Sequence, residues 1–233
     1  MKERYQDWVE KVKILTPPLP WHKYSIREGK GDVVVLLHGL WRSREAMEPM
    51  AKYLNEEKGM RTICIPYDSV LDDFDLIVTK IGEQLEELEL TGPIHFVTHS
   101  LGGVILSGLL ASETRSWHLA KAVMLAPPLK GSQIIDWLCD SPFRFVLGAA
   151  PEYLQTAKIG KRVPTLQQQE RIAVIMGKSN KLKLFSLFLD EHNDGIVSVD
   201  DGRVDGLAEF HVEDVDHTFI TVDKKIQQRC AEF

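Results

Sequence analysis

Continuous apolar runs alternate along this chain with segments whose apolar residues recur every three or four positions. The run Val33 to Leu37 is dominated by β-branched residues, which is typical of a strand buried on both faces. Residues 72–90 instead place their apolar side chains on one helical face. The alternation predicts a mostly parallel sheet with helices on both faces. The predicted strands are 32–37, 61–65, 94–97, 120–125, 172–176 and 209–213, and the predicted helices are 1–15, 43–57, 72–90 and 103–111.

A serine stands at the junction between the strand 94–97 and the helix 103–111. It lies in the sequence Thr98-His99-Ser100-Leu101-Gly102. A sharp strand-to-helix turn can expose such a hydroxyl above the sheet as a nucleophile, and the turn requires small residues around it. Gly102 and Gly103 meet this requirement, whereas Thr98 replaces the usual glycine.

An earlier strand ends in His38-Gly39-Leu40. Acyl-transfer enzymes need two N–H donors for the oxyanion, one after the nucleophile and one from a loop of this kind. The amides of Leu101 and Leu40 are the predicted donors. A plain strand end followed by a turn is the alternative interpretation.

Two later loops supply a carboxylate and a histidine in that order. Asp194-Gly195 is a turn signal that follows the strand 172–176, and His217 comes just after the last predicted strand. A simple surface turn is the alternative for Asp194. The rival carboxylates are Asp190, Asp200 and Asp201, and the rival histidine, His211, lies within a predicted strand.

Together, these motifs resemble the α/β-hydrolase superfamily, and within it the small lipase- and esterase-like serine hydrolases. The resemblance spans residues 33 to about 220 and includes the loop that begins at Ala126-Pro127-Pro128. It implies a Ser100-Asp194-His217 triad, which would cleave carboxylic esters through an acyl-enzyme without a cofactor. It also implies that His99 packs near the elbow or lines the substrate pocket.

Residues 127–168 interrupt the strand-helix rhythm with five prolines and several large apolar residues. They form either a long connection with packing helices or a small cap that lines an acyl pocket. Trp41 and Arg42 follow the first loop directly and are expected to border the substrate entrance, although Trp41 fits the core equally well.

Composition narrows the class of protein. A length of 233 residues with 44% hydrophobic residues fits a single domain, 1–233, in which 127–168 is the candidate cap insertion. The net charge of −6 argues against nucleic acid or an anionic membrane as the main partner. No apolar run approaches the ~20 residues of a transmembrane helix. The amino terminus is too charged for a signal peptide.

Three widely separated cysteines indicate reduced thiols, and no residue cluster has metal-ligand spacing. We therefore expect a cytoplasmic protein that acts on a small-molecule or lipid ester without a metal. The sequence leaves the oligomeric state open.

Four other classes of function can be weighed against the same serine, carboxylate and histidine motifs. An acyltransferase would use a bound alcohol or thiol in place of water, and the sequence does not separate the two. A non-catalytic binding protein predicts a missing triad member, and none is missing. Dehalogenation and epoxide opening need an aspartate at the position of Ser100. Amide or peptide cleavage stays open.

Overall fold

The computed structural model describes residues 15, 23–90, 92–113, 115–142, 150–180, 189 and 192–233. The helix predicted for 1–15 lies outside them except for its last residue. The seven strands are β1 (Ser25–Arg27), β2 (Val33–Leu37), β3 (Arg61–Cys64), β4 (Gly92–His99), β5 (Trp117–Leu125), β6 (Ile172–Gly177) and β7 (Glu209–Glu213).

These strands form one sheet in the order β1-β3-β2-β4-β5-β6-β7. β1 pairs antiparallel with β3, and every other neighbouring pair is parallel. The mostly parallel sheet predicted from the sequence is confirmed. β1 was not predicted, because Ser25-Ile26-Arg27 carries a single apolar residue and is too short for a periodic signal.

Within the described residues, six α-helices connect or flank the strands: α1 (Glu48–Lys58), α2 (Phe74–Glu87), α3 (Leu101–Ala111), α4 (Gln133–Asp140), α5 (Thr156–Arg162) and α6 (Lys224–Glu232). Short 3-10 turns cover Arg44–Met47, Ala150–Leu154, Gln169–Arg171 and Val199–Gly202. The segment 127–168 therefore contains two helices, α4 and α5, and residues 143–149 lie outside the described part.

The helix predicted for 43–57 begins later than expected. Ser43 makes no side-chain capping bond, and the chain first forms the 3-10 turn Arg44–Met47. The α-helix starts at Glu48, where Pro49 occupies the first turn. Proline has no N–H to donate, so it is tolerated at a helix start and marks the true beginning of α1.

The core has two layers, one on each face of the sheet. Side chains of β2 alternate between them: Val35 and Leu37 face the layer built with α2 and α3, while Val34 and Leu36 face the layer built with α1 and α6. α4 and α5 contribute to the first layer. Helices on both faces are thus confirmed, and the carboxyl ends of β2, β4, β6 and β7 share one edge of the sheet.

α2 and α3 differ in how they are buried. Asp73 caps the amino terminus of α2, where its side chain accepts a hydrogen bond from the amide of Leu76, and the helix buries one face only. α3 is buried on every side from residue 101 to residue 110 because it lies between the sheet and its covering segments. No helix within the described ranges is long and apolar enough to cross a membrane.

The contact between α2 and α3 depends on Gly108. A Cβ atom there would lie 2.6 Å from Cγ2 of Val78 and 2.8 Å from Cζ of Phe74. Gly82, in the middle of α2, has no atom within 4 Å of the corresponding position. Both glycines lie inside helices, but only Gly108 is required by packing, so Gly82 serves as its control.

We expect Gly108→Ala to lower the free energy of unfolding by about 1–3 kcal/mol, because the buried neighbours must shift. Gly82→Ala should raise it by about 0.5–1 kcal/mol, because alanine loses less backbone entropy in a helix. Urea denaturation of both variants measures the difference. Equal effects of the two substitutions would contradict the packing described for α3.

Candidate active site

Ser100 stands between β4 and α3 in a backbone conformation that non-glycine residues rarely adopt. Its φ is 51° and its ψ is −118°. The Ser100 amide donates to the carbonyl of Leu125 at 2.8 Å, and the Ser100 carbonyl accepts from the amide of Gly103 at 2.9 Å. The turn predicted from the sequence is therefore present, and it is anchored to the neighbouring strand β5.

Two glycines let other segments approach this turn. A Cβ atom on Gly102 would lie 2.6 Å from the carbonyl oxygen of Leu37, at the end of β2. A Cβ atom on Gly103 would lie 2.7 Å from Cβ of Pro127 and 3.3 Å from Oγ1 of Thr98. The buried Thr98 fits beside Gly103, so its replacement of the usual glycine does not prevent the turn.

Asp194 is held by the backbone of its own loop. Its Oδ1 accepts hydrogen bonds from the amides of Ile196 at 3.0 Å and Val197 at 2.8 Å. Its side chain is fully buried. A carboxylate fixed by backbone donors keeps its second oxygen, Oδ2, in a defined direction.

That second oxygen faces His217. Nδ1 of His217 donates to Oδ2 of Asp194 at 2.7 Å, and the His217 amide donates to the Asp194 carbonyl at 3.0 Å. Both loops meet over Gly177 at the end of β6, where a Cβ atom would lie 2.8 Å from Cβ of Asp194 and would collide with the carbonyl of Val215. The acid and base predicted from the sequence are therefore in contact.

His99 connects the serine turn to the loop of His217. Its Nε2 donates to the carbonyl of His217 at 3.0 Å, and the two rings lie 4.8 Å apart. Burial, and then the neighbouring His217, hold the pKa of His99 well below its ordinary value. A neutral His99 is thus packed beside the turn, and its predicted role in lining the substrate pocket stays a prediction.

The loop after β2 lies directly against Ser100. A Cβ atom on Gly39 would lie 3.2 Å from Cβ of Ser100 and 3.0 Å from Nδ1 of His99. The following Leu40 is half-buried, and Leu101 is fully buried at the start of α3. The two residues predicted to donate to an oxyanion thus come from segments that meet at the serine.

A second loop, after β3, holds this first loop in place. The ring of Tyr67 stacks on His38 with centroids 3.9 Å apart and planes 8° from parallel, and the Tyr67 hydroxyl donates to the His38 carbonyl. Trp41, at φ 56°, donates its amide to Oγ of Ser69 at 3.0 Å. Trp41 is half-buried against the core, and its predicted position at the substrate entrance stays a prediction.

Sequence reasoning missed Tyr67 and Ser69. A signal existed, because both follow the strand β3, which lies beside β2 in the sheet. The contact between the loop after β2 and the loop after β3 follows only from the order of the strands in the sheet, which the sequence does not give.

The rival acid and base residues occupy other places. Asp200 lies in a 3-10 turn and pairs with Arg203 at 3.9 Å, while His211 is paired with Glu209 at 2.6 Å within β7. The Asp201 backbone carbonyl accepts from Lys130. Asp190 lies outside the described residues. Within the described ranges, no three His, Cys, Asp or Glu side chains are placed to hold a metal ion.

Solved structures similar to this chain carry the same fold. A mature lipase of Bacillus licheniformis, BlEst2, is 18% identical over 85% of this chain and 92% of its own, with a TM-score of 0.68. A thermophilic esterase of Thermogutta terrifontis is 14% identical over 90% and 92%, with a TM-score of 0.58. A bromoperoxidase of Bacillus anthracis is 15% identical over 88% and 92%, with a TM-score of 0.55.

This protein has the α/β-hydrolase fold, as its motifs indicated. No protein-family model and no curated sequence matches the chain. Because the structural neighbours include a bromoperoxidase beside a lipase and an esterase, the reaction has to be argued from the site and not from the fold.

The burial of His38 makes the free energy of unfolding of the protein depend on pH. Nδ1 of His38 donates to the carbonyl of Gly39 at 2.9 Å, and Nε2 has no hydrogen-bond partner in the described part of the chain. Burial lowers the pKa of His38 from 6.5 to about 4. The unfolded chain therefore binds a proton at His38 between these pH values, whereas the folded chain does not.

We expect the free energy of unfolding to be highest above pH 6.5 and to fall as the pH is lowered toward 4, with His38 contributing a loss of about 3 kcal/mol. His38→Phe keeps a ring against Tyr67 but removes the titration, so its pH dependence should be shallower. Urea denaturation between pH 7 and pH 4.5 measures the slopes. The exposed His118→Gln serves as control, and a slope for His38→Phe equal to the wild type would refute this explanation.

Proposed function

We propose that this protein is a serine hydrolase that cleaves carboxylic esters through an acyl-enzyme. The observation that carries the proposal is the buried 2.7 Å hydrogen bond from His217 to Asp194. His99, which precedes the strained Ser100 in the chain, hydrogen-bonds the carbonyl of the same His217. Strained conformations of this kind persist only where the surrounding structure holds them in place, and they are concentrated at active sites. The likeness in fold to a lipase and an esterase is consistent with the proposal.

In the first step, Oγ of Ser100 attacks the ester carbonyl carbon while Nε2 of His217 takes the hydroxyl proton. Nδ1 of His217 keeps its own proton because it donates to Asp194, and this leaves Nε2 as the basic nitrogen. Asp194 then stabilises the imidazolium cation without accepting its proton. His217 returns the proton to the leaving alcohol when the tetrahedral intermediate collapses to the acyl-enzyme.

The amides of Leu40 and Leu101 are proposed to bind the negative oxygen of this intermediate. The close approach of Gly39 to Ser100 supports this, because it brings the first loop to the start of α3. Donors of this kind are typically worth about 3 kcal/mol each in the transition state. Tyr67 and Ser69 would preserve their direction by holding the first loop.

In the second half-reaction, water replaces the alcohol. His217 removes a proton from the water, the resulting nucleophile attacks the acyl carbon, and the Ser100 oxygen leaves with the proton returned by His217. The products are the carboxylic acid and the free enzyme. No group other than these side chains and water is needed to balance the reaction.

We also propose that the segment 127–168 acts as a small cap that contributes to acyl binding. A cavity of about 150 Å³ lies between α3 and α5. Val104, which is one helical turn beyond Ser100, lines it together with Leu129 and Ile159. An apolar cavity of this size favours short acyl chains.

His217→Gln should lower kcat for a short-chain p-nitrophenyl ester by at least roughly 10⁴-fold, because the serine then lacks its base. His211→Gln is the matched control and should leave kcat nearly unchanged, because His211 contacts Glu209 in β7. Release of p-nitrophenol measures both rates. Similar losses in the two variants, or substantial activity in His217→Gln, would refute the assignment of His217.

A further inference from the structure

Arg42 is held at the edge of the candidate site by the turn that follows β2. Its amide donates to the carbonyl of Gly39 at 3.3 Å, and the preceding Trp41 is fixed by its hydrogen bond to Ser69. Gly39 in turn lies against Ser100 and His99. The backbone of Arg42 is therefore set by the same contacts that place the proposed oxyanion loop.

The guanidinium of Arg42 is half-buried and has no ion pair with any residue in the part of the chain that the structure describes. Arg44, two positions further on, pairs with Glu45 at 3.1 Å and with Glu48 at 3.0 Å. Glu45 and Glu48 thus form ion pairs with Arg44. Neither forms one with Arg42, whose charge therefore has no opposite charge beside it within the described residues.

The positive charge of Arg42 lies close enough to His99 to affect the pKa of that ring. Burial is the main cause of the lowered pKa of His99, and the positive charge of Arg42 contributes to it. Burial also lowers the pKa of Arg42. Removing a cation from water is unfavourable unless an anion or a set of hydrogen bonds compensates, so a ligand that supplies an anion here gains a strong interaction.

We propose that Arg42 determines substrate specificity by binding an oxyanionic group, a carboxylate or a phosphate, that the ester carries in addition to its reacting carbonyl. The planar guanidinium forms paired hydrogen bonds with either group. This inference rests on the proposed ester chemistry of Ser100. A local cation is needed for such a preference because the chain as a whole has a net charge of −6.

Binding to the Ser100→Ala protein tests this without turnover. Two pairs of probes distinguish the sources of charge: monoethyl succinate against diethyl succinate, and 1-butyrylglycerol 3-phosphate against 1-butyrylglycerol. Isothermal titration calorimetry should give at least a tenfold lower Kd for the charged member of one pair. Adding Arg42→Gln should remove that preference while leaving the Kd of the neutral member nearly unchanged.

Two further variants isolate the role of the guanidinium. Lys58→Gln removes one exposed positive charge at the far end of α1 and should preserve the preference. Arg42→Lys keeps the positive charge but lacks the planar guanidinium, so this variant should retain only part of the preference for the charged probe. Circular dichroism and urea midpoints verify that each variant is folded.

The inference is overturned if neither charged probe binds better than its neutral partner, or if Arg42→Gln weakens both members of a pair equally. Turnover of the neutral esters by protein with Ser100 intact tests the proposed function separately. An Arg42-dependent preference without turnover would leave the anion site standing and reject ester hydrolysis. Turnover of the neutral esters without an Arg42-dependent preference would support ester hydrolysis and reject the anion site.

Discussion

The backbone turn at Ser100 exists only because glycines allow neighbouring segments to pack against it. Gly39, Gly102 and Gly103 each stand where a Cβ atom would collide with, or crowd, another part of the site. A serine at φ 51° costs about 1–3 kcal/mol in backbone strain. The burial of α3 on every side offsets that cost, since the helix cannot shift without disturbing the core.

The same turn connects the loops at the carboxyl edge of the sheet. His99 bonds the loop of His217, which bonds the loop of Asp194, and Gly39 presses the loop after β2 against the serine. Tyr67 and Ser69 extend the chain of contacts to the loop after β3. Each of these loops is therefore joined to a neighbouring loop or to the serine turn by a hydrogen bond or a close packing contact. Such mutual support is what a preorganised site requires.

Much of this arrangement could be predicted from the sequence, for identifiable reasons. The buried strands produce long β-branched runs, and the serine motif has a fixed relation to the strand before it. Asp194 and His217 were predicted from turn signals and chain order, and the structure brings them into contact. Their catalytic roles, with that of Ser100, remain proposals.

Other features depend on spatial neighbours that a sequence does not reveal. β1 is too short and polar to give a periodic pattern, and its place comes from pairing with β3. The late start of α1 follows from local competition between 3-10 and α-helical turns at Pro49. The stacking of Tyr67 on His38 requires knowing that β2 and β3 are adjacent.

The central claim is that Ser100 is an activated nucleophile, and covalent labelling tests it most directly. Intact-mass analysis after treatment with a fluorophosphonate should show one adduct on the wild-type protein and none on Ser100→Ala, with both proteins folded by circular dichroism. An adduct that persists on Ser100→Ala would place the reactive group elsewhere. A folded wild-type protein that forms no adduct would contradict the account of the site as an assembled nucleophile, base and acid.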